Sequence, residues 1–457
     1  MKPNILFIVI DAFPYERCQG KNKTSKTPNL DFLIKKGVSF EQAISVADAT
    51  PASFGSMFTG LFPFKCAVRG GLWLYKLKPN VNNYIKILKN YGYHAYATAP
   101  KLTSMKDIFS DFENEDYSVY GYRLPNGLGN KILKRFEEKN MMEPWIYLLH
   151  LMDAHKPISY PSEFDHDEYG KDEYDKMISS LDIWIGKIIK KIDLEKTIIV
   201  ITADHGDYIR TIRNHDKVIS LENKFLAGPA QKISKFTPDL LYSLKIKIFL
   251  SVRSLIAKIK LLRLGRKLTP FEIRNLKYAR SKPNHFLFDE LVRVPLIMVD
   301  KNIPSNISIR QQIRTVDIFP TLLEVIGFTN FNKNVDGVSF LPLLKRKKQP
   351  ELPAYIETSI NYKDSSEGGY GIRTSKYKYF RRVPEQNKQI HLYDLELDPL
   401  EEENIAQKHP EIIEKMEKII SELKNVKKNV AENHEEIIIS EEEKKKIEAE
   451  LKKMGYI

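Results

Sequence analysis

The chain has 457 residues, with 72 Lys and Arg against 59 Asp and Glu, a formal net charge of +13. Hydrophobic residues at 42% and charged residues at 29% exclude a disordered chain, and the length suits one large domain with a smaller one, or two to three domains. Cys18 and Cys66 are the only cysteines, too few for a disulfide framework and in keeping with a reducing compartment.

The apolar run Ile5–Ile10 ends in Asp11 and is too short for a signal-peptide core or a membrane span, so it reads as a first buried strand. Thr27-Pro28 opens a capped helix, and Gly37-Val38-Ser39-Phe40 leads into a short strand. Thr50-Pro51 then suits the first turn of another helix, where backbone amides favour anions; for Thr50 a simple N-cap is an equal local reading. Tyr84–Leu88 reads as helical, Tyr93–Thr98 as extended, and Trp145–Leu151 as a strongly apolar strand followed by Asp153 and His155. His150, inside that apolar run, reads as a buried structural histidine, and His155, past its end, as the better functional candidate. Tyr174–Lys191 is an amphipathic helix that feeds the β-branched run Ile198–Ile201.

Directly after that run comes Thr202-Ala203-Asp204-His205-Gly206-Asp207. In open α/β sheets ligands sit beyond the carboxyl ends of the strands, so Asp and His here make half of a metal site, with a capped turn as the plain alternative. Between Val218 and Pro283 the chain carries fifteen Lys and Arg against three acidic residues, almost all of the net charge. Leu241, Leu244, Ile248, Val252, Leu255, Ile259 and Leu262 lay one apolar stripe along a basic helix over 238–268. Such a helix is either a lid on its own domain or a peripheral contact with an anionic membrane; nucleic acid ranks third, because stacking aromatics are lacking.

Arg293–Val299 is a further strand, and Thr315–Leu323 opens a helix that ends near Gly327. From Tyr355 the pattern changes to short extended runs, Tyr377–Phe380 and His391–Leu395, then a helix from Pro410. The alternation predicts an α/β fold with a doubly wound, mostly parallel sheet, followed by a smaller α+β domain of short antiparallel sheet plus helix. The expected boundaries are 1–345 with the insert 218–283, then 346–430, then a charged, solvated helical tail over 431–457.

Several stretches together resemble the sulfatase family of the alkaline phosphatase superfamily. They are Pro3–Asp11, Thr27–Asp31, Phe58–Pro63, Asp204-His205-Gly206, Arg293–Ile297, Asp336–Leu341 and Leu392–Pro399. The resemblance spans the chain except the basic insert and the tail, and implies an alkaline-phosphatase-like core. It puts Asp11, Asp204 and His205 on a divalent metal, with the Thr50 side chain at the nucleophile position beside it. Oxygen ligands suit Ca²⁺, Mg²⁺ or Mn²⁺, and the histidine tilts toward Mn²⁺ or Zn²⁺. His155 matches the family's Asp-x-His-x-Pro histidine at the transferred group or leaving oxygen, and His285 lies near the family's leaving-group Lys or His. Asp153, His215 and Lys282 are further substrate-binding candidates, with a surface histidine an equal reading of His215.

The chain departs from the family pattern. Sulfatases carry a Cys or Ser in Cys/Ser-x-Pro-x-Arg that is oxidised to formylglycine; here Thr50 and Phe54 take the places of the nucleophile and the Arg. Threonine cannot become formylglycine. Ala12 stands where a second carboxylate usually follows the first, leaving Asp207 or water to complete the metal site. The sequence therefore predicts a metal-dependent hydrolase or transferase of phosphate or sulfate esters, phosphoesters preferred, acting through a covalent Thr50 intermediate. Its alternatives are a sulfatase working without formylglycine and a non-catalytic binder of anionic glycans or lipids. The expected substrate is an anionic ester, lipid- or glycan-linked. The expected location is the cytoplasm, with the inner membrane face open to the basic helix.

Overall fold

The structure is a computed structural model. It describes residues 2–21, 23–66, 77, 81, 83–114, 123–138, 140–214, 217–220, 266–276, 286–329, 335–359, 368–383, 389–425 and 440–454. The basic helix expected over 238–268 lies outside the described residues apart from 266–268, and His215, Lys282 and His285 lie outside them too.

Among the described residues the core is one nine-stranded mixed sheet. Its strands are β1 (Asn4–Ile10), β2 (Val38–Ile44), β3 (His94–Thr98), β4 (Glu113–Asn114), β5 (Trp145–Leu151) and β6 (Thr197–Thr202), and, after the β7 (Thr211–Asn214) and β8 (Lys217–Ser220) hairpin, β9 (Arg293–Val299), β10 (Ile307–Ile309) and β11 (Ile313–Arg314). The order is β10-β2-β9-β6-β1-β5-β3-β4, with β11 also on β2. Pairings are parallel except those of β9, which runs antiparallel to both β2 and β6.

Every residue of β1, β5 and β6 is buried. A strand covered by helices on both faces must be apolar throughout instead of alternating, and this is why those three runs are legible as continuous hydrophobic stretches. From β1 the chain first crosses to β2 on one side, then builds β3, β4 and β5 on the other and returns to β6. That reversal beside β1 is the kind of switch point at which open α/β sheets hold their ligands.

A second, four-stranded antiparallel sheet follows: β12 (Ala354–Ser359), β13 (Gly368–Arg373), β14 (Tyr377–Val383) and β15 (Ile390–Asp394). The helix Pro410–Asn425 packs on it through Met416 and Ile420. β13 escapes a reading of apolar alternation because it begins Gly-Gly-Tyr-Gly. The reason is steric: a Cβ on Gly371 would sit 2.1 Å from the Tyr379 carbonyl oxygen. The C-terminal helix Glu441–Met454 is not a purely solvated tail. Ile447 is buried in the main core, and Glu450 accepts hydrogen bonds from the Thr103 amide and hydroxyl at 3.0 and 2.7 Å. Within the basic insert, Arg274 is likewise not a solvated charge, because it is buried against Glu290 at 2.9 Å.

The two sheets are joined by charge. Arg373, on β13, grips Asp289 with two hydrogen bonds of 2.9 and 2.8 Å. The fully buried Lys378 of β14 bridges Asp289 at 2.8 Å and Glu401 at 3.0 Å. Burial tends to raise the Asp289 carboxyl, but Arg373 and Lys378 outweigh it and hold it well below the usual carboxylate range. Breaking a buried pair from one side strands the other charge, so Arg373→Leu is expected to cost about 3 kcal/mol of stability. Urea unfolding of the variant against the parent checks this.

Candidate active site and metal centre

Register assembles the site. β1 lies between β5 and β6, with Ile10 opposite Leu151 and Val9 opposite both His150 and Thr202. Asp11, the Asp153–His155 turn and Asp204-His205 therefore leave the sheet at one edge. Their ligand atoms converge: one each from Asp11, Asp204 and His205 lie within 4.8 Å of one another, and all three residues are buried.

The surrounding contacts aim these atoms. The Nδ1–H of His205 donates to the Gly206 carbonyl at 2.8 Å, which leaves Nε2 as the lone-pair nitrogen of the neutral ring. Asp204 Oδ1 accepts from the His205 and Ala12 amides at 2.9 and 3.2 Å. Gly206 is required by crowding, since a Cβ there would lie 2.1 Å from the Glu290 carbonyl oxygen. Ala12 sits in the left-handed region at φ 56°, which costs about 1 kcal/mol or more for an alanine. In that conformation its amide faces Asp204 while its carbonyl accepts from the Tyr174 hydroxyl at 2.8 Å. A backbone amide thus does at Ala12 what a second carboxylate would not.

Thr50 is the first residue of the helix Thr50–Thr59, and the cap position belongs to Ala49, so the Thr50 hydroxyl is not spent on an N-cap. It donates to Asp11 Oδ2 at 3.1 Å and lies 3.4 Å from His205 Nε2. Asp11 Oδ1 and Asp204 Oδ2 are buried and carry no hydrogen bond among the described residues. Burial raises the Asp204 carboxyl, and the negative charge of Asp11 raises it further. Burial also works to raise Asp11, but the hydrogen bond from His150 and the histidines around it hold that carboxyl well below its ordinary range. Orphaned, mutually repelling carboxylate oxygens beside an imidazole lone pair fit a divalent cation. Asp11, Asp204 and His205 would hold it, with the Thr50 hydroxyl alongside. Bound there, a cation supplies charge neutralisation and makes the hydroxyl more acidic.

The other expected residues divide. His155 follows β5 and is half-buried; its Nδ1–H donates to the Lys156 carbonyl at 2.7 Å. Burial pulls its pKa below the ordinary value, while the Asp11 charge works the other way. Asp207, the suggested substitute ligand, does not join the cluster; its carboxylate pairs with Lys156 Nζ at 3.2 Å, and that ammonium also donates to the Tyr208 carbonyl at 2.6 Å. The Asp153 carboxylate accepts from the Leu124 amide at 3.0 Å, which is a structural contact. Two residues escape the sequence reading. Lys156 is one. His150 is the other: it is buried as expected, but its Nε2–H reaches Asp11 Oδ2 at 3.2 Å.

The family model for Sulfatase matches residues 3–328, through all of these residues. The chain belongs to the sulfatase family. It is a sulfatase-like ester hydrolase, and the family's enzymes depend on a metal. A second model, "N-sulphoglucosamine sulphohydrolase, C-terminal", matches residues 283–429. Arylsulfatase K of Mus musculus is 21% identical over 95% of this chain and 81% of its own length. Among solved structures, a 2-O GAG sulfatase has a TM-score of 0.64 at 17% identity, covering 95% of both chains. A protein solved in complex with its substrate D-glucosamine-2-N,6-O-disulfate has a TM-score of 0.64 at 17% identity over 94% of this chain and all of that one. The phosphonate monoester hydrolase of Agrobacterium radiobacter has a TM-score of 0.63 at 15% identity over 93% and 95% of the two chains. These structures share the fold.

Two outcomes follow from the site. Burial pushes Asp153 up from 3.8 to about 6, against the opposing pull of Arg123 and the Leu124 amide. A raised carboxyl pKa stabilises the fold below the unfolded value and withdraws that stability as pH climbs through the folded one. Asp153→Asn is therefore expected to gain about 2 kcal/mol over the parent near pH 8 and nothing below about pH 4, measured by urea unfolding across pH. Cation binding to the folded state alone should raise unfolding free energy by about 2.7 kcal/mol at a hundredfold excess over Kd, an increment that Asp204→Asn removes in thermal melts with and without chelator.

Proposed function

We propose that the chain hydrolyses sulfate monoesters carried on an anionic, glycan-like substrate, with Thr50 as the nucleophile. The observation that carries this reading is the match to the sulfatase family through a site in which the Thr50 hydroxyl hydrogen-bonds Asp11 beside the cation position. The sulfatase relatives support sulfate esters better than the phosphoester preference drawn from Thr50 alone. Substrates named for the solved relatives, GAG in one and a disulfated glucosamine in another, support a glycan-linked ester here.

In the first step Thr50 Oγ1 bonds to sulfur as the bond from sulfur to the ester oxygen breaks. The hydroxyl, which hydrogen-bonds Asp11 Oδ2, gives up its proton as the departing alcohol gains one. In the second, water attacks the sulfo-threonine, releasing sulfate and restoring the hydroxyl. His155, kept neutral by burial, is suited to take the water's proton. The helix N-terminus at Thr50 favours the negative charge of the transferred group.

One observation favours a second reading, phosphoester hydrolysis or phosphoryl transfer: Thr50 cannot be converted to formylglycine, and Phe54 replaces the motif's arginine. The fold likeness to a phosphonate monoester hydrolase is compatible with it. Contact of 238–268 with an anionic membrane, and residence in the cytoplasm, are proposals that rest on composition alone.

Aryl sulfate, aryl phosphate and phosphodiester substrates, each tested with Mg²⁺, Mn²⁺, Ca²⁺ or chelator, separate these readings. Sulfate turnover that falls about 10³-fold or more in Thr50→Ala is the expected result. Turnover confined to the phosphorus esters moves the assignment to the second reading. Silence on all three, with no cation uptake, returns the chain to a binding role. His155→Gln is expected to lower kcat by about 10²-fold.

A further inference from the structure

We propose that His150 is the positioning residue of the cation site: through Asp11 it decides which carboxylate oxygen faces the ion and which faces the nucleophile. The inference rests on the reading of Asp11, Asp204 and His205 as a cation site. His150 is fully buried within β5, so it touches neither solvent nor substrate. In the parallel register it stands opposite Val9, and Asp11, two residues beyond Val9, projects on the same face. Its Nε2–H meets Asp11 Oδ2 at 3.2 Å, the same oxygen that accepts from Thr50 Oγ1 at 3.1 Å.

Two donors on Oδ2 fix the rotation of the carboxylate and leave Oδ1, which carries no hydrogen bond among the described residues, for the ion. Without the imidazole, the Thr50 hydroxyl would be the remaining donor on Oδ2 among the described residues, and the carboxylate could turn. The imidazole is itself held by Phe54, whose ring centroid lies 4.7 Å from it. Phe54 follows Thr50 by one helical turn on the same helix. The helix that carries the nucleophile thus also braces the histidine that orients the carboxylate. Phe54 occupies the place of the family motif's arginine, so this brace is a property of this chain and not of that motif.

The test is binding of Mn²⁺, Mg²⁺ or Ca²⁺ alone, followed by titration calorimetry on the full chain, together with kcat and KM on whichever ester is turned over. His150→Phe keeps a ring against Phe54 and removes the donor; His150→Gln restores an N–H at a similar reach. His150→Phe is expected to weaken cation affinity by about 10- to 100-fold and to lower kcat with KM within about threefold, and His150→Gln to recover most of both. Phe54→Leu, which removes the neighbouring ring and leaves the donor, should fall between them. If His150→Phe does not fold, a loss in Phe54→Leu with near-parent affinity in His150→Gln supports the proposal.

Equal cation affinity in all folded variants overturns it, as does a loss that merely tracks each variant's thermal stability. A wild-type protein that binds none of the three ions overturns it together with the cation reading. Failure of the sulfate assignment is separate, because it shows in ester turnover and leaves the binding series unchanged.

Discussion

The parallel register of β1 against β5 and β6 is the constraint on which the rest of the site depends. A one-residue slip would turn every side chain of a strand to the opposite face. In the observed register Val9 meets both His150 and Thr202. Asp11 thereby reaches the His150 imidazole on one flank and the Asp204-His205 turn on the other. β1, β5 and β6 are buried along their whole length, so a slip would carry buried polar groups such as His150 away from the partners that satisfy them.

Concentrating Asp11 and Asp204 at a buried sheet edge is electrostatically costly, and the fold offsets that cost in two ways. Donors are placed on two of the four carboxylate oxygens: the Ala12 and His205 amides on Asp204 Oδ1, and the His150 imidazole and Thr50 hydroxyl on Asp11 Oδ2. The oxygens that carry no hydrogen bond among the described residues, Asp11 Oδ1 and Asp204 Oδ2, are on the two carboxylates of the Asp11–Asp204–His205 cluster. Residual repulsion is thus directed to the spot where a cation removes it. The strained Ala12 backbone belongs to the same arrangement, since its left-handed turn is what delivers an amide to Asp204.

The smaller sheet supports this edge from outside. The Glu357 amide of β12 donates to the Val46 carbonyl, and the Thr358 hydroxyl to the Asp48 carboxylate, which ties β12 to the loop immediately before Thr50. Arg373 and Lys378 converge on Asp289, and Asp289 opens the short helix that runs into β9. The main chain around Gly206 is clamped by the same region, because its amide donates to the Leu291 carbonyl at 2.7 Å. The Asp204-His205-Gly206 turn and the C-terminal sheet therefore share one buried network of charge and backbone.

Much of this was legible from residues alone. Continuous apolar runs marked β1, β5, β6 and β9, because burial on both faces is a demand on every residue in the strand. Asp11, Asp204 and His205 were recognisable from their place just beyond such runs and from the family motifs around them. The tertiary structure alone decided the rest. Whether Thr50 caps its helix or faces the Asp11–Asp204–His205 cluster depends on the path of Ala49, and whether His150 is inert or touches Asp11 depends on a register set by contacts more than a hundred residues apart. The pairing of Asp207 with Lys156 likewise joins distant segments, and β13 owes its glycines to neighbouring strands rather than to any local pattern. Local sequence states which residues must leave water; which of them then meet is settled by packing between segments that the chain order keeps far apart.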